Sequence, residues 1–192
     1  NVSRLNNIFF HNLNANFFGK FYDKDKKTAI RLYKHYLSSL CKNLNRIGIN
    51  INTIPVLDVL RKNTHEVIGN RSFSSNKKIV KKLGKLTINF LHSKKIAGII
   101  KHIPGHGAST VDSHKKMPKV FLNYKKLNQT DFYPFKMSKA KLAMTAHILY
   151  PKLDKKNVVT LSKTIIKNII RKKIGFKGIL ISDDISMRAL KF

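Results

Sequence analysis

The chain alternates between short apolar runs and longer amphipathic segments, and each apolar run ends in polar or ionisable residues. The runs cover residues 49–58, 96–102, 142–147 and 179–182. Their apolar residues are nearly continuous, which is typical of strands buried on both faces of a parallel sheet. Because the carboxyl ends of parallel strands meet at one edge, the polar residues that follow the runs should gather there. The pattern therefore predicts an α/β fold with its chemistry at that edge.

The amphipathic segments between the runs predict helices over residues 28–47, about 76–93, and 161–174. In the first helix, leucine and tyrosine recur at three- and four-residue spacing, and Gly48 follows as a terminating glycine. An aromatic-rich stretch precedes that helix. Residues 103–141 signal helix poorly, so we interpret them as a long functional loop with one irregular helix.

A length of 192 residues allows one domain with a real hydrophobic core. The same length is short for a closed (β/α)8 barrel, which typically needs about 250 residues. The chain begins at Asn1 instead of a methionine and ends at Phe192, shortly after its last apolar run. We therefore interpret residues 1–192 as a single domain that is truncated at both ends.

A formal net charge of +30 raises the question of a polyanionic partner. Lysine far outnumbers arginine, however, and the lysines are spread through every segment without forming a patch. We therefore favour a compositional bias and expect no specific nucleic-acid partner, with a basic polyanion-binding protein as the alternative. No apolar run approaches the roughly 18 residues of a membrane span, and the lone Cys41 excludes an internal disulfide.

Asp183 and Asp184 stand directly after the last apolar run. The chain has nine acidic residues, and Glu66 is its one glutamate. Because adjacent residues point in different directions, one of the two aspartates can face a site while the other orients the loop. The alternative is that the pair caps a following helix. We favour a function for the pair, with both interpretations open at this point.

A second constellation, KHIPGHG over residues 101–107, is followed by Asp112-Ser113-His114. A carboxylate two residues from an imidazole can accept its hydrogen bond, which fixes the tautomer and raises the basicity of the ring. His102, His106 and His114 could instead ligate a metal. No carboxylate or cysteine is obviously placed to complete such a set, so we expect neither a metal nor a cofactor.

Taken together, these motifs closely resemble the signature of glycoside hydrolase family 3, in particular its bacterial β-N-acetylglucosaminidases of cell-wall recycling. The resemblance rests on KHIPGHG, DSH and SDDISM in that order, with PVLD, GNRSF and TAHILYP in their matching places. It runs through nearly the whole chain. It implies an α/β fold of the TIM type, of which this chain would carry a partial (β/α)8 barrel, about strands four to seven of eight.

The same resemblance implies a retaining exo-hydrolase that releases terminal N-acetylglucosamine through a covalent glycosyl-aspartate. Asp183 would be the nucleophile, His114 the acid/base, and Asp112 the residue that holds His114. Lys101, His102, Arg71 of GNRSF and Arg4 of NVSRL would bind the sugar. His114 lies on a loop that we expect to swing in after the substrate binds.

The substrate implied by the resemblance is a muropeptide or disaccharide that contains N-acetylglucosamine, and the implied location is cytoplasmic. A family 3 phosphorylase or β-glucosidase is the alternative activity, although family 3 glucosidases generally lack the Asp-His loop. The family's DQEGG motif, expected just before Asn1, is not in this chain. Since an open half-barrel leaves two sheet edges unpaired, we expect the isolated chain to be inactive or poorly folded.

Overall fold

A four-stranded parallel sheet forms the centre of the molecule. The structure is a computed structural model, and it describes residues 13–137 and 139–190. The strands are β1 (Ile51–Asn52), β2 (Ala97–Ile103), β3 (Leu142–Thr145) and β4 (Ile179–Ile181). Within the described residues, their spatial order is the same as their order in the chain, and all three pairings are parallel. The predicted α/β class is confirmed.

The first strand is short, and the register of β2 against β3 shifts between Lys101 and Ile103. Ile99 lies opposite Leu142, which lies opposite Ile179. The prediction of one strand over residues 49–58 was wrong in extent, because the regular ladder ends at Asn52. Pro55 has no N–H to donate, although its carbonyl accepts the Lys101 N–H at 3.2 Å. The segment therefore stays alongside β2 as an irregular connection.

From residue 13 onward, three α-helices and a 3-10 turn at Gly69–Arg71 precede the second strand. α1 (Ala15–Lys24) begins at Asn14, whose side chain accepts the Phe17 N–H, so part of the predicted aromatic-rich stretch is helical. α2 (Lys26–Arg46) begins at Asp25, which accepts the Thr28 N–H, and it matches the predicted helix closely. α3 (Lys77–Ser93) likewise matches the predicted segment and begins after Asn76.

Residues 103–141 contain two short helical segments where one irregular helix was predicted. They are α4 (Tyr124–Gln129) and a 3-10 turn at Tyr133–Met137. The predicted helix over residues 161–174 is split as well. A 3-10 turn at Val159–Leu161 is followed by a π-helix at Ile165–Ile174, which ends at Gly175 with φ of 79°. A short 3-10 turn at Arg188–Leu190 follows β4.

The hydrophobic core lies between the sheet and the helices. α2 and α3 pack against each other, and α3 packs against β2. Fully buried side chains from each layer include Leu37, Leu83, Ile100 and Ala143. Along the described part of the chain, none of the helices is both long enough and apolar enough to cross a membrane.

Candidate active site

The carboxyl ends of the strands bring Asp58, His102 and Asp183 together. His102 donates its backbone N–H to the Asp58 carboxylate at 3.2 Å, and its Nδ1 lies 2.6 Å from Asp58 Oδ2. The other ring nitrogen, Nε2, faces Asp183 Oδ2 at 3.8 Å. That separation is too long for a direct hydrogen bond. Asp183 also accepts the Asp184 N–H at 2.9 Å. The His102 imidazole therefore lies between the buried Asp58 carboxylate and the more exposed Asp183 carboxylate.

Lys101 lies beside this group and is only 7% exposed. The pKa of its ammonium group is lowered to about 8, mainly by burial and also by the neighbouring Arg71, while Asp183 and Asp58 oppose the change. Arg71 donates to the Val67 carbonyl at 2.9 Å, which holds its guanidinium group close to the strand ends. A lysine with this pKa is still mostly charged at neutral pH, and it can donate hydrogen bonds to a polar ligand.

The loop after β2 passes very close to the segment after β1. A Cβ added to Gly107 would lie 1.9 Å from the Val59 carbonyl oxygen, so no other residue fits without a shift of the backbone. His106, in the same loop, is 3% exposed. The pKa of its imidazole is lowered to about 4, mainly by burial and secondly by the proximity of His102. His106 is therefore neutral at physiological pH, and it donates its backbone N–H to Asp58 at 2.6 Å.

Asp112 and His114 form the predicted pair. Asp112 Oδ1 lies 2.8 Å from His114 Nδ1, and it accepts the His114 backbone N–H at 2.9 Å. Partial burial acts to raise the pKa of Asp112, but the hydrogen bonds from His114 outweigh it and the pKa is lowered. The His114 side chain is 55% exposed. The carboxylate thus stays ionised and orients an imidazole whose Nε2 is open to solvent.

The loop that bears His114 lies at the same edge of the sheet as Asp183. The Ser113 carbonyl accepts the Ala189 N–H at 3.2 Å, which ties this loop to the turn that follows β4. Asp184 has a lowered pKa, mainly because Ser186 donates two hydrogen bonds to it, with smaller contributions from His114 and His147. The predicted acid/base loop and the predicted nucleophile are therefore not on opposite ends of the sheet.

His147, after β3, supports the turn that carries the two aspartates. Its Nε2 lies 3.1 Å from the Asp184 carbonyl oxygen, and its Nδ1 lies 2.7 Å from Thr160 Oγ1. A carbonyl can only accept, so Nε2 donates to the Asp184 carbonyl. Thr145 Oγ1 lies 2.8 Å from the Thr160 hydroxyl. This buried chain of hydrogen bonds fixes the backbone next to Asp183.

A comparison with protein-family models shows which family this chain belongs to. The model described as "Glycosyl hydrolase family 3 N terminal domain" matches residues 23–192, which is most of the chain. The chain belongs to glycosyl hydrolase family 3. The family resemblance predicted from KHIPGHG, DSH and SDDISM is thereby confirmed.

Several family 3 relatives are similar over most of this chain. A "Beta-hexosaminidase" of Neisseria meningitidis serogroup A is 36% identical over 176 residues, which is 90% of this chain and 48% of the relative. "Beta-hexosaminidase A" of Pseudoalteromonas piscicida is 36% identical over 168 residues, 80% of this chain and 28% of the relative. The chain thus spans half or less of the length of these family 3 proteins.

Solved family 3 structures match the fold. NagZ from Neisseria gonorrhoeae, in complex with N-trifluoroacetyl-D-glucosamine, superposes with a TM-score of 0.83 at 33% identity, over 90% of this chain and 52% of NagZ. A family 3 β-N-acetylglucosaminidase from Paenibacillus sp. str. FPU-7 superposes with a TM-score of 0.80 at 30% identity, over 84% of this chain and 32% of that protein. The four parallel strands are therefore part of the barrel-like family 3 domain. Their numbering as strands four to seven stays a prediction.

A cavity of about 540 Å³ lies beside the irregular segment after β1 in this family 3 chain. Arg71 and Lys101 are in its wall, together with apolar side chains of α1 and α2. Asp183 and His114 do not belong to that wall. Lys101 connects the cavity to the strand-end carboxylates, since its pKa responds to both Arg71 and Asp183.

The structure gathers most of the predicted site residues. Asp183, Lys101, His102 and Arg71 lie around the strand ends, the Asp112–His114 pair lies on the adjoining loop, and Arg4 lies outside the described residues. Across residues 13–137 and 139–190, no group of three histidine, cysteine, aspartate or glutamate side chains is arranged to hold a metal ion.

Asp58 was not among the predicted site residues. The sequence feature that could have identified it is its position at the end of an apolar run in a chain with few acidic residues.

Proposed function

We propose that this chain carries the nucleophile and the acid/base of a retaining exo-β-N-acetylglucosaminidase. The observation that supports this most directly is the common edge of β4 and the 112–114 loop, joined by the hydrogen bond from Ala189 to Ser113. Retention needs a nucleophile on one side of the anomeric carbon and a proton donor near the glycosidic oxygen. A strand-end carboxylate and an exposed imidazole on a neighbouring loop meet those two needs.

In the proposed first step, an Asp183 carboxylate oxygen attacks the anomeric carbon and the glycosidic bond breaks. The leaving oxygen takes the proton from His114 Nε2, and the sugar stays bound to Asp183 as an ester. In the second step, a water gives its proton back to His114 Nε2 while its oxygen attacks the anomeric carbon and releases Asp183. Two inversions give net retention.

Asp112 keeps His114 in the orientation that both steps need. Its carboxylate accepts from Nδ1, which leaves Nε2 as the nitrogen that exchanges the proton. Because Asp112 is held ionised by these hydrogen bonds, it remains an acceptor for the Nδ1 proton throughout both steps. The Asp-His pair thus takes the place of the second carboxylate used by most glycoside hydrolases.

The sugar itself is proposed to contact Lys101, His102, Arg71 and Arg4. The first two lie at the end of β2, where buried donors and acceptors favour hydroxyl groups. NagZ, which is similar to this chain, has been solved with N-trifluoroacetyl-D-glucosamine. We extend the proposal to terminal N-acetylglucosamine on peptidoglycan fragments and to a cytoplasmic location, as the cell-wall-recycling resemblance implies.

The test compares Asp183→Ala and His114→Ala in the full-length protein. Asp183→Ala should lose nearly all turnover of a disaccharide and of p-nitrophenyl N-acetylglucosaminide. His114→Ala should lose about 10²- to 10⁴-fold on the disaccharide, the usual contribution of acid/base catalysis. It should lose much less in forming the glycosyl-enzyme from the p-nitrophenyl substrate, because that leaving group needs little protonation.

The matched controls are Asp23→Ala and His35→Ala, which remove exposed side chains from α1 and α2. Both should retain wild-type rates. Unchanged turnover in Asp183→Ala would refute the assignment of the nucleophile. Repeating the assay with added phosphate and identifying the product separates the hydrolase from a phosphorylase, since a phosphorylase would yield N-acetylglucosamine 1-phosphate.

A further inference from the structure

Asp58 is a fully buried carboxylate that faces the β2 end from the segment after β1. Its Oδ1 accepts two backbone N–H groups, from His102 at 3.2 Å and from His106 at 2.6 Å. Its Oδ2 lies 2.6 Å from His102 Nδ1. Burial acts to raise the pKa of Asp58, but its interactions with His102 and His106 outweigh this effect and the pKa is lowered. Asp58 is therefore an ionised acceptor.

A carboxylate that only accepts decides which ring nitrogen of His102 carries the proton. Since Oδ2 needs a donor, Nδ1 holds the proton in the neutral imidazole and Nε2 is left with a lone pair. Nε2 faces Asp183 at 3.8 Å, which is too far for a direct hydrogen bond between them. A sugar hydroxyl that reaches Nε2 can donate its proton to that lone pair.

We propose that Asp58 is a positioning residue that fixes the Nδ1–H tautomer of His102, so that Nε2 acts as a hydrogen-bond acceptor for the substrate beside Asp183. The proposal rests on the proposed function for its effect on catalysis. The tautomer itself is a property of the protein that can be measured without any substrate.

Asp58→Asn tests this without removing the support that Asp58 gives to the loop. The amide oxygen can replace Oδ1 and keep both backbone N–H groups. The NH₂ group then replaces Oδ2 and donates to Nδ1. The opposite orientation of the amide would place NH₂ against two donors, which is unfavourable. The substitution therefore moves the His102 proton to Nε2. An aspartate-to-asparagine change of this kind in the catalytic triad of chymotrypsin-like proteases fixes the wrong tautomer of the histidine and leaves the geometry intact.

The experiment uses the full-length protein labelled with ¹⁵N in histidine, at pH 8.5. Imidazole ¹⁵N shifts, assigned with a His102→Gln variant, report which nitrogen is protonated. The wild type should show a proton on Nδ1 and not on Nε2, and Asp58→Asn should show the reverse. With a p-nitrophenyl substrate, kcat/KM of Asp58→Asn should fall about 10- to 100-fold, the effect of one mispaired polar group.

Asp131→Asn is the matched control. Asp131 is equally buried, but its carboxylate pairs with Arg61 instead of His102, so the His102 spectrum should stay as in the wild type. A proton on Nε2 of wild-type His102 would overturn the proposal, and that measurement stands even where Asp58→Asn fails to fold. A folded Asp58→Asn with full activity or an unchanged tautomer would also overturn it. Absence of glycosidase activity in the wild type would refute the proposed function and leave the tautomer result in place.

Discussion

Lys101→Met should stabilise the protein while it removes sugar binding. Burial and the proximity of Arg71 lower the pKa of Lys101 from 10.5 to about 8. At about 1.36 kcal/mol for each pKa unit, holding this lysine charged at pH 7 costs the folded state on the order of 3 kcal/mol. Methionine has a similar length and no charge, so it removes the cost. The gain in the free energy of unfolding should be about 1–3 kcal/mol, because the new side chain does not fill the site of the lysine perfectly.

The sign of the pH dependence follows from the direction of the pKa change. Because the folded-state pKa is below the unfolded-state pKa, the unfolded chain binds more protons between about pH 8 and 10.5. The wild type should therefore gain stability as the pH rises through this window, and Lys101→Met should lack that gain. From pH 7 to pH 9.5, the difference between the two proteins should shrink by about 2 kcal/mol.

Urea unfolding at both pH values measures the difference. Lys85→Met, which changes an exposed lysine of α3, is the control and should lie within about 0.5 kcal/mol of the wild type at either pH. A constant difference between the wild type and Lys101→Met at pH 7 and pH 9.5 would refute the argument from burial. Loss of stability in Lys101→Met at pH 7 would refute it too. KM for the p-nitrophenyl substrate should rise in Lys101→Met and not in Lys85→Met.

Two further substitutions test the contacts that hold the loops at the strand ends. His147→Ala leaves the Asp184 carbonyl without its imidazole donor, so it should cost about 2–3 kcal/mol in urea unfolding and lower kcat more than it raises KM. Equal effects of His147→Ala and an exposed His35→Ala would contradict this. Gly107→Ala places a Cβ 1.9 Å from the Val59 carbonyl oxygen, so it should lower the free energy of unfolding by at least about 2 kcal/mol. A variant as stable as the wild type would show that the loop can move away.

The alternation of strands and helices could be predicted because hydrophobic periodicity is a local property. α2 and α3 agree closely with their predicted spans, and both have an Asp or Asn cap at the start. The predicted gathering of polar residues followed from the geometry of parallel strands and needed no knowledge of contacts. Asp183 and the loop that bears His114 lie at one edge for that reason.

The features that were not predicted have both local and long-range causes. The first strand is shorter than its apolar pattern suggested, and Pro55 beyond it cannot donate to a ladder. Phe17 and Phe18 in the aromatic-rich stretch belong to α1, which starts after Asn14, whose side chain accepts the Phe17 N–H. The role of Asp58 was missed because its partner His102 lies 44 positions further along the chain.

The ionisation of the carboxylates shows why composition says little about this site. A net charge of +30 favours the ionised form of every aspartate, yet the pKa of buried Asp131 is raised, chiefly by burial and in spite of Arg61. The pKa values of Asp58 and Asp112 are lowered because neighbouring N–H groups donate to them. Local hydrogen bonds, and not the excess of lysine, therefore decide which carboxylates can orient an imidazole. The site chemistry consequently depends on the two loops after β1 and β2. A change in overall charge would leave the backbone N–H groups of these loops in place.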